Sequence, residues 1–128
     1  MTGEIATFTV HGRLPGLNEY TDACRTNAKA GARCKRAAEE QVLWGIAMAE
    51  LEPLYGPVFV TFRWYERDRR RDLDNVAFAK KFILDALVQR GILAGDGRKH
   101  VVGFTDFFDI DRRSPRVLVM IERRRSAA

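Results

Sequence analysis

Two aspartates separated by one residue, Asp72 and Asp74, are the side chains of this sequence best placed to do chemistry. They follow the basic run Arg67–Arg71 and precede an apolar-faced segment with the spacing of a helix. Mg²⁺ prefers oxygen ligands in octahedral geometry and retains several waters, so two or three aspartates hold it without histidine or cysteine. The pattern therefore favours a divalent-cation site beside a surface that faces a phosphate-rich polymer.

A third acid, Asp96, lies further along the chain in a loop that glycines make tight and permissive. It can complete a three-carboxylate site only if its loop folds back over the start of the helix. That helix is about 25 Å long at 1.5 Å per residue, so the chain must return along the neighbouring strand or loop before Asp96 can reach Asp72 and Asp74.

The same segment contains two adjacent lysines. Lys81 lies seven residues after Asp74, and a continuous helix places it on the same face as the acid, about two turns on. Lys80 points about 100° away, which predicts that it is the solvated lysine of the two. A lysine beside a metal-bound phosphate can stabilise the negative charge that develops during phosphodiester hydrolysis.

A purely structural interpretation of the two aspartates competes with the metal site. Aspartate just before a helix is a favoured N-cap and interacts well with the helix dipole. One cap accounts for either Asp72 or Asp74 but leaves the other beside the arginines, so both interpretations stay open at this point.

Composition limits the size and the partners of the protein. The 128 residues are enough for one domain with a core and too few for two. Lysine and arginine number 22 against 17 acids, a formal net charge of +5, so we expect an anionic partner, nucleic acid first and an acidic membrane surface second. No apolar run approaches about 18 residues and no signal peptide is evident, so we expect a cytoplasmic protein without a membrane span.

The two cysteines, Cys24 and Cys34, fall in one region of helical character. On one helix they lie about 15 Å apart along the axis, too far for a disulfide. We therefore expect free thiols in a reducing compartment.

The order of periodic segments predicts an α/β fold: a single-domain sandwich with a mixed β-sheet and two main helices, in the order β-α-β-α-β-β. The last two strands are most simply paired as a hairpin. The long first helix buries either Val42, Ile46 and Ala49 or Leu43, Trp44 and Met48. The expected strands are Glu4–Val10, Val58–Glu66, Lys99–Ile110 and Arg116–Ile121, and the expected helices are Ala37–Leu51 at least and Asn75–Val88.

The domain is expected over residues 1–122, followed by a frayed basic tail at 123–128. If the region before residue 37 is also helical, Arg25, Lys29 and Arg33 recur every four residues and form a cationic ridge. A solvated face is the equally simple interpretation of that ridge.

The run Asp72-Leu73-Asp74-Asn75, the lysine-bearing helix ending Leu84-Asp85-Ala86-Leu87, and the glycine-bounded loop with Asp96 resemble the RusA family of Holliday-junction resolvases, common in prophages. The resemblance covers residues 71–104 closely. It implies a homodimeric, Mg²⁺-dependent endonuclease, with Mn²⁺ as a substitute, that makes paired nicks in four-way junction DNA during recombination and repair.

The resemblance also implies residue roles. Asp72, Asp74 and Asp96 correspond to the metal-binding carboxylates, and Lys81 to the catalytic lysine. In the family that lysine usually follows the second aspartate by four residues, whereas here the triplet Ala77-Phe78-Ala79 looks inserted. Counting back from Asp85-Ala86-Leu87 restores Lys81, with Lys80 as a competitor and a later helix start or a bulge as alternatives.

The basic residues are expected to contact DNA phosphates. These are Arg25, Lys29, Arg33, Arg67, Arg69, Arg70 and Arg71. Arg70 or Arg71 can instead neutralise the aspartates when no metal is bound. The segment Gly12–Asn18 also resembles the family's substrate-side loop, although this match is weaker. The alternative functions are a non-catalytic DNA-binding module and a metal-dependent nuclease for other branched DNA or RNA.

Overall fold

The computed structural model describes residues 4–124. Four strands and four helical segments alternate in a mixed α/β order, which confirms the predicted fold class. The elements are β1 (Ile5–His11), α1 (Leu17–Thr26), α2 (Ala28–Ala49), β2 (Val58–Glu66), α3 (Leu73–Ala77), α4 (Lys80–Gln89), β3 (Val101–Ile110) and β4 (Arg116–Arg123).

The four strands form one sheet in the order β1-β4-β2-β3. β2 and β3 are parallel, connected by α3 and α4, while β4 lies antiparallel between β1 and β2. The predicted hairpin of the last two strands is therefore wrong. β4 buries every second residue and suits an inner position, whereas β3 has no fully buried residue and suits an edge. The link between them crosses the end of β2, where Asp111 N donates to Glu66 O at 2.7 Å.

The helices cover one face of the sheet. The core includes Phe62 and Trp64 from β2, Val42 and Ile46 from α2, and Ile83 from α4, all almost fully buried. Burying such large side chains contributes about 1.5–3 kcal/mol each. Of the two stripes proposed for α2, the first is confirmed for Val42 and Ile46, which are buried, and wrong for Ala49, which is exposed.

In the other proposed stripe of α2, Leu43 is half-buried against the core, whereas Trp44 and Met48 face water. Trp44 and Met48 are 71% and 76% exposed, so the alternative that used them is wrong. Gly45 explains why α2 can lie so close to the sheet, because an added Cβ would come within 2.3 Å of the Thr9 carbonyl oxygen.

The first helical region is interrupted at Asn27, whose extended backbone separates α1 from α2. Its side chain caps α2 by accepting from Ala30 N at 2.7 Å. Cys24 and Cys34 consequently lie on two helices of a hairpin, not on one helix as the spacing argument assumed. Both are free, and burial raises the pKa of the Cys34 thiol, which keeps it protonated and poorly nucleophilic.

The C-terminal boundary differs slightly from expectation, since β4 extends to Arg123. The remainder of the expected tail, residues 125–128, lies outside the described residues. Within residues 4–124, no helix combines the length and the apolar character needed to cross a membrane.

Candidate active site

The two motif aspartates lie at the start of α3, just beyond the end of β2. Asp72 occupies the N-cap position with extended backbone, yet its side chain makes no capping hydrogen bond. Asp74 is in the first turn, and its Oδ1 accepts from Asn75 N at 3.0 Å. Both are exposed. Asp72 is thus a cap by position only, and both carboxylates face solvent where a cation can reach them.

Arg71 anchors the segment that leads into the motif. Its Nε donates to Glu66 Oε1 and its Nη2 to Glu66 Oε2, both at 2.8 Å. Nη1 donates to Leu14 O at 3.1 Å and to Glu19 Oε1 at 3.3 Å. The side chain is only 10% exposed. Arg71 therefore ties β2, α1 and the motif together, and we assign it this role instead of the expected phosphate contact or neutralisation of the aspartates.

The segment Gly12–Asn18, matched only weakly to a substrate-side loop, lies directly against the motif. Asn18 N donates to Asn75 Oδ1 at 2.9 Å. A Cβ on Gly16 would lie 2.6 Å from Asn75 Oδ1 and 2.8 Å from its carbonyl oxygen. Only glycine fits here without displacing the start of α3.

The inserted triplet Ala77-Phe78-Ala79 coincides with a break between α3 and α4. Hydrogen bonds of the tighter three-residue kind connect Ala79 N to Val76 O and Lys81 N to Phe78 O. Phe78 packs on Tyr20 and Phe82, with ring centroids 5.8 and 5.6 Å away. The expected single helix is therefore wrong, and with it the argument that Asp74 and Lys81 share a helical face.

Lys80 is held inside the protein, contrary to the expectation that it is the solvated lysine. Its Nζ lies 2.6 Å from Asp106 Oδ2 and 3.9 Å from the centre of the Phe104 ring. The other oxygen of Asp106 accepts from Trp64 Nε1 at 2.8 Å. Because its ammonium and the Asp106 carboxylate are paired and partly buried, this lysine fastens α4 to the sheet.

Lys81 is the accessible lysine, with a side chain 60% exposed. Its Nζ lies 3.2 Å from Asp85 Oδ1 and 3.8 Å from Asp96 Oδ2. The hydrogen bond to Asp85 raises the pKa of the Lys81 ammonium, and the charge of Asp96 acts in the same direction. Lys81 is thus a permanent cation near neutral pH, able to donate to an anion but not to act as a base.

The structure brings some of the expected site residues together and not others. The loop with Asp96 does return along α4, far enough to meet Lys81. Asp72 and Asp74 are neighbours at the start of α3. Within residues 4–124, however, no three carboxylate, histidine or cysteine side chains converge as metal ligands.

The donor chemistry of the aspartate pair nonetheless fits Mg²⁺. This ion is commonly held by one or two carboxylates together with substrate phosphates and waters. The exposed carboxylates of Asp72 and Asp74, one residue apart, meet that requirement. Asp96 instead lies beside Lys81.

Two parallel strands end beside the motif and enclose a cavity. β2 and β3 run parallel with Glu66 opposite Ile110, so both carboxyl ends lie at the same edge of the sheet, where open α/β sheets bind ligands. The cavity there has a volume of about 350 Å³. It is lined by Glu66, Asp68, Arg69, Arg71, Leu73, Val76, Phe108, Asp109 and Ile110.

The remaining candidate DNA contacts are exposed. Arg25 is in the last turn of α1 while Lys29 and Arg33 are on α2, so the proposed continuous ridge is divided at Asn27. Arg67 and Arg70 lie 3.6 and 3.8 Å from Asp68. Arg69 makes no ion pair within the described part of the chain, which leaves its guanidinium available to an anion.

Four residues that support the site escaped the sequence interpretation: Glu19, Glu66, Trp64 and Asp106. Glu66 ends a strand next to an arginine run, a pattern compatible with an anchoring ion pair. Asp106 meets Lys80 across 26 residues, and only the parallel pairing of β2 and β3 creates that contact.

No protein-family model matches this chain, and no curated protein matches it. The fold and the site define the protein as a small α/β domain. It has a carboxylate pair at the edge of a mixed sheet and a charged lysine on the helix that follows.

Proposed function

We propose that the protein is a RusA-type, Mg²⁺-dependent endodeoxyribonuclease that makes paired nicks in four-way junction DNA. It acts in the cytoplasm, in recombination and repair, as a homodimer. The observation that supports this best is the contact of Lys81 with Asp96. Asp96 from the loop and Lys81 from α4 both belong to the family motif, and they are in contact. α4 is the helix that follows the exposed Asp72 and Asp74.

Each residue has a distinct task in this proposal. Asp72 and Asp74 hold Mg²⁺, with Mn²⁺ as a substitute, and Asp96 lies beside the ammonium of Lys81. When bound, the ion polarises a phosphodiester and lowers the pKa of a water. Lys81 donates to a phosphate oxygen as negative charge develops there. Asp85 keeps Lys81 protonated and restricts its position.

Homodimer formation is supported by the edge of the sheet. β3 is an outer strand, and its Val102, Phe104 and Phe107 are about half exposed, at 54%, 49% and 48%. An open apolar edge strand is a natural place for a second copy to pair. A two-fold dimer presents two equivalent sites, which suits paired nicks in a junction of near two-fold symmetry.

The decisive experiment mixes purified protein with a mobile four-way junction or linear duplex, with and without Mg²⁺. We expect paired nicks in the junction only, with Mg²⁺ present. Asp74→Asn should reduce cleavage at least about a hundredfold, in the range seen for loss of one transition-state contact. Asp22 is an exposed aspartate on α1, so Asp22→Asn is the matched control and should cleave normally. The proposal fails if wild-type protein binds junctions without nicking them, or if Asp74→Asn nicks as fast.

A second candidate, a non-catalytic DNA-binding module, is favoured by one observation: Asp72 occupies the N-cap position of α3 and Asp74 its first turn. In that case Asp72 and Asp74 serve only the start of α3. Asp72→Asn and Asp74→Asn would then leave junction affinity unchanged in Mg²⁺, and no nicks would appear with any branched DNA or RNA.

A further inference from the structure

The cavity at the carboxyl ends of β2 and β3 has a ligand-like size and position. Its volume of about 350 Å³ lies within the range of roughly 300–1,000 Å³ typical of small-molecule sites. Leu73, which separates the two motif aspartates, is one of its walls. A ligand here lies next to the carboxylate pair.

The lining divides into an apolar part and a charged part. Val76, Phe108, Leu73 and Ile110 supply apolar surface, and Leu73 and Ile110 are 58% and 39% exposed. Glu66 is neutralised by Arg71, whose side chain is nine-tenths buried. Arg69 is exposed and makes no ion pair among residues 4–124. Two further carboxylates, Asp68 and Asp109, line the cavity, and Asp68 lies 3.6 and 3.8 Å from Arg67 and Arg70. The cavity therefore combines apolar walls with one cation, Arg69, that is available to an anion.

We propose that this cavity binds one unpaired nucleobase of the DNA substrate while Arg69 contacts the adjoining phosphate. This inference rests on the proposed function for its choice of a DNA ligand. A nucleotide combines an aromatic ring, which packs on Phe108 and the aliphatic walls, with a phosphate that complements Arg69. The basic run Arg67–Arg71 at the same edge matches the anionic backbone on either side.

A branched substrate makes such a base available at low cost. Removing a base from a stack costs least where it is mismatched or already unpaired, and in the open form of a four-way junction the base pairs at the crossover lack a stacking neighbour on one side. Capture of one base fixes the phosphate beside it relative to Asp72 and Asp74. The cavity thus selects branch points and sets which phosphate is cut.

Binding of abasic junctions to matched variants tests this inference without cleavage. Affinity is measured in EDTA for an intact junction and for junctions with each crossover nucleotide in turn made abasic. Wild-type protein should lose roughly tenfold in affinity for at least one abasic position, the scale of one base–aromatic stack. Ile110→Glu should weaken binding of the intact junction by a similar factor and leave binding of that abasic junction unchanged.

Ile5→Glu is the control, because it makes the same change at an exposed isoleucine on β1, the opposite edge of the sheet. It should bind like wild type. If circular dichroism shows that Ile110→Glu does not fold, Leu73→Ser removes apolar surface from another wall of the same cavity and replaces it in the comparison.

Three outcomes overturn the inference. Either no abasic position weakens wild-type binding, or Ile110→Glu weakens binding of intact and abasic junctions equally, or Ile110→Glu changes only the oligomeric state measured by sedimentation. Failure of the proposed function looks different. A protein that passes the abasic test yet never nicks DNA in Mg²⁺ retains the base-binding cavity and loses the nuclease assignment.

Discussion

Adjacent lysines at the start of α4 have opposite environments. Lys80 is 17% exposed and paired with Asp106, while Lys81 is 60% exposed. The family pattern predicts Lys81 as the catalytic lysine, and helical spacing predicts that Lys80 is solvated. That assignment failed because the partner of Lys80 lies on β3, which local spacing does not reveal.

The two lysines should therefore separate stability from activity. Lys80→Met leaves Asp106 partly buried without its cation, and we expect it to lower the free energy of unfolding by about 2–3 kcal/mol. Lys81→Met loses only exposed ion pairs and should change stability by less than about 1 kcal/mol, while abolishing junction cleavage. Urea titrations and cleavage assays on both variants check this. Equal stabilities would contradict the assigned environments.

A similar contrast holds for two arginines of the basic run. Arg71→Gln leaves Glu66 without its bidentate partner, and we expect a loss of about 3 kcal/mol in unfolding free energy. Arg69→Gln, two residues away, should stay within about 0.5 kcal/mol of wild type and weaken DNA binding instead. Thermal unfolding and junction affinity measure the two effects. Comparable stability losses would show that Arg71 is not the anchor described above.

At the scale of elements, strands were more predictable than helix interruptions and strand pairing. β2 has the expected bounds because its alternation is strong. The breaks at Asn27 and at Phe78 lie in sequences without proline, where only a capping asparagine or a packed phenylalanine marks the change. A β3–β4 hairpin is the simplest pairing for strands that are neighbours in sequence. The strand order depends instead on which strand buries its apolar residues at the centre of the sheet, and β4 lies between β1 and β2. The return of Asp96 to Lys81 depends on the same tertiary packing.

The turn that carries the chain across the end of β2 should make stability depend on acid pH. Arg116 Nη1 donates to Asp111 Oδ2 at 2.8 Å, and the backbone of Ser114 and Arg113 donates to Asp111 Oδ1. The Arg116 bond is the main reason that the pKa of Asp111 lies below its ordinary 3.8. A lowered pKa adds stability above the unfolded value, which is lost as pH falls through the folded value.

Asp111→Asn should accordingly lower the urea midpoint at pH 7. The difference from wild type should shrink below pH 3.8 and vanish once the folded carboxyl is protonated. Arg116→Gln, which removes the main partner, should weaken the same acid dependence. A midpoint difference that stays constant from neutral to acid pH would mean that the turn contacts do not involve the ionised carboxylate.

At the scale of the whole molecule, position and net charge make separate contributions to DNA binding. The formal charge of +5 attracts any polyanion, whereas site geometry demands contacts at the carboxyl-end edge of β2 and β3. Arg67, Arg69 and Arg70 lie at that edge. Arg123 and Arg124 lie at the opposite end of the sheet, where the end of β4 pairs with the start of β2.

Two triple variants with the same charge change distinguish these contributions. Replacing Arg67, Arg69 and Arg70 by Gln should reduce the slope of log affinity against log salt concentration for a four-way junction by about 2.7, at roughly 0.9 per released counterion. Replacing Arg123, Arg124 and Arg90, the residue that follows the end of α4, by Gln removes equal charge and should change that slope by less than about 1. Fluorescence anisotropy in EDTA, from low to physiological salt, measures both slopes. Equal slopes for the two triple variants would mean that net charge alone determines DNA binding. The edge of the sheet beside Asp72 and Asp74 would then have no special role, which contradicts the proposed binding position.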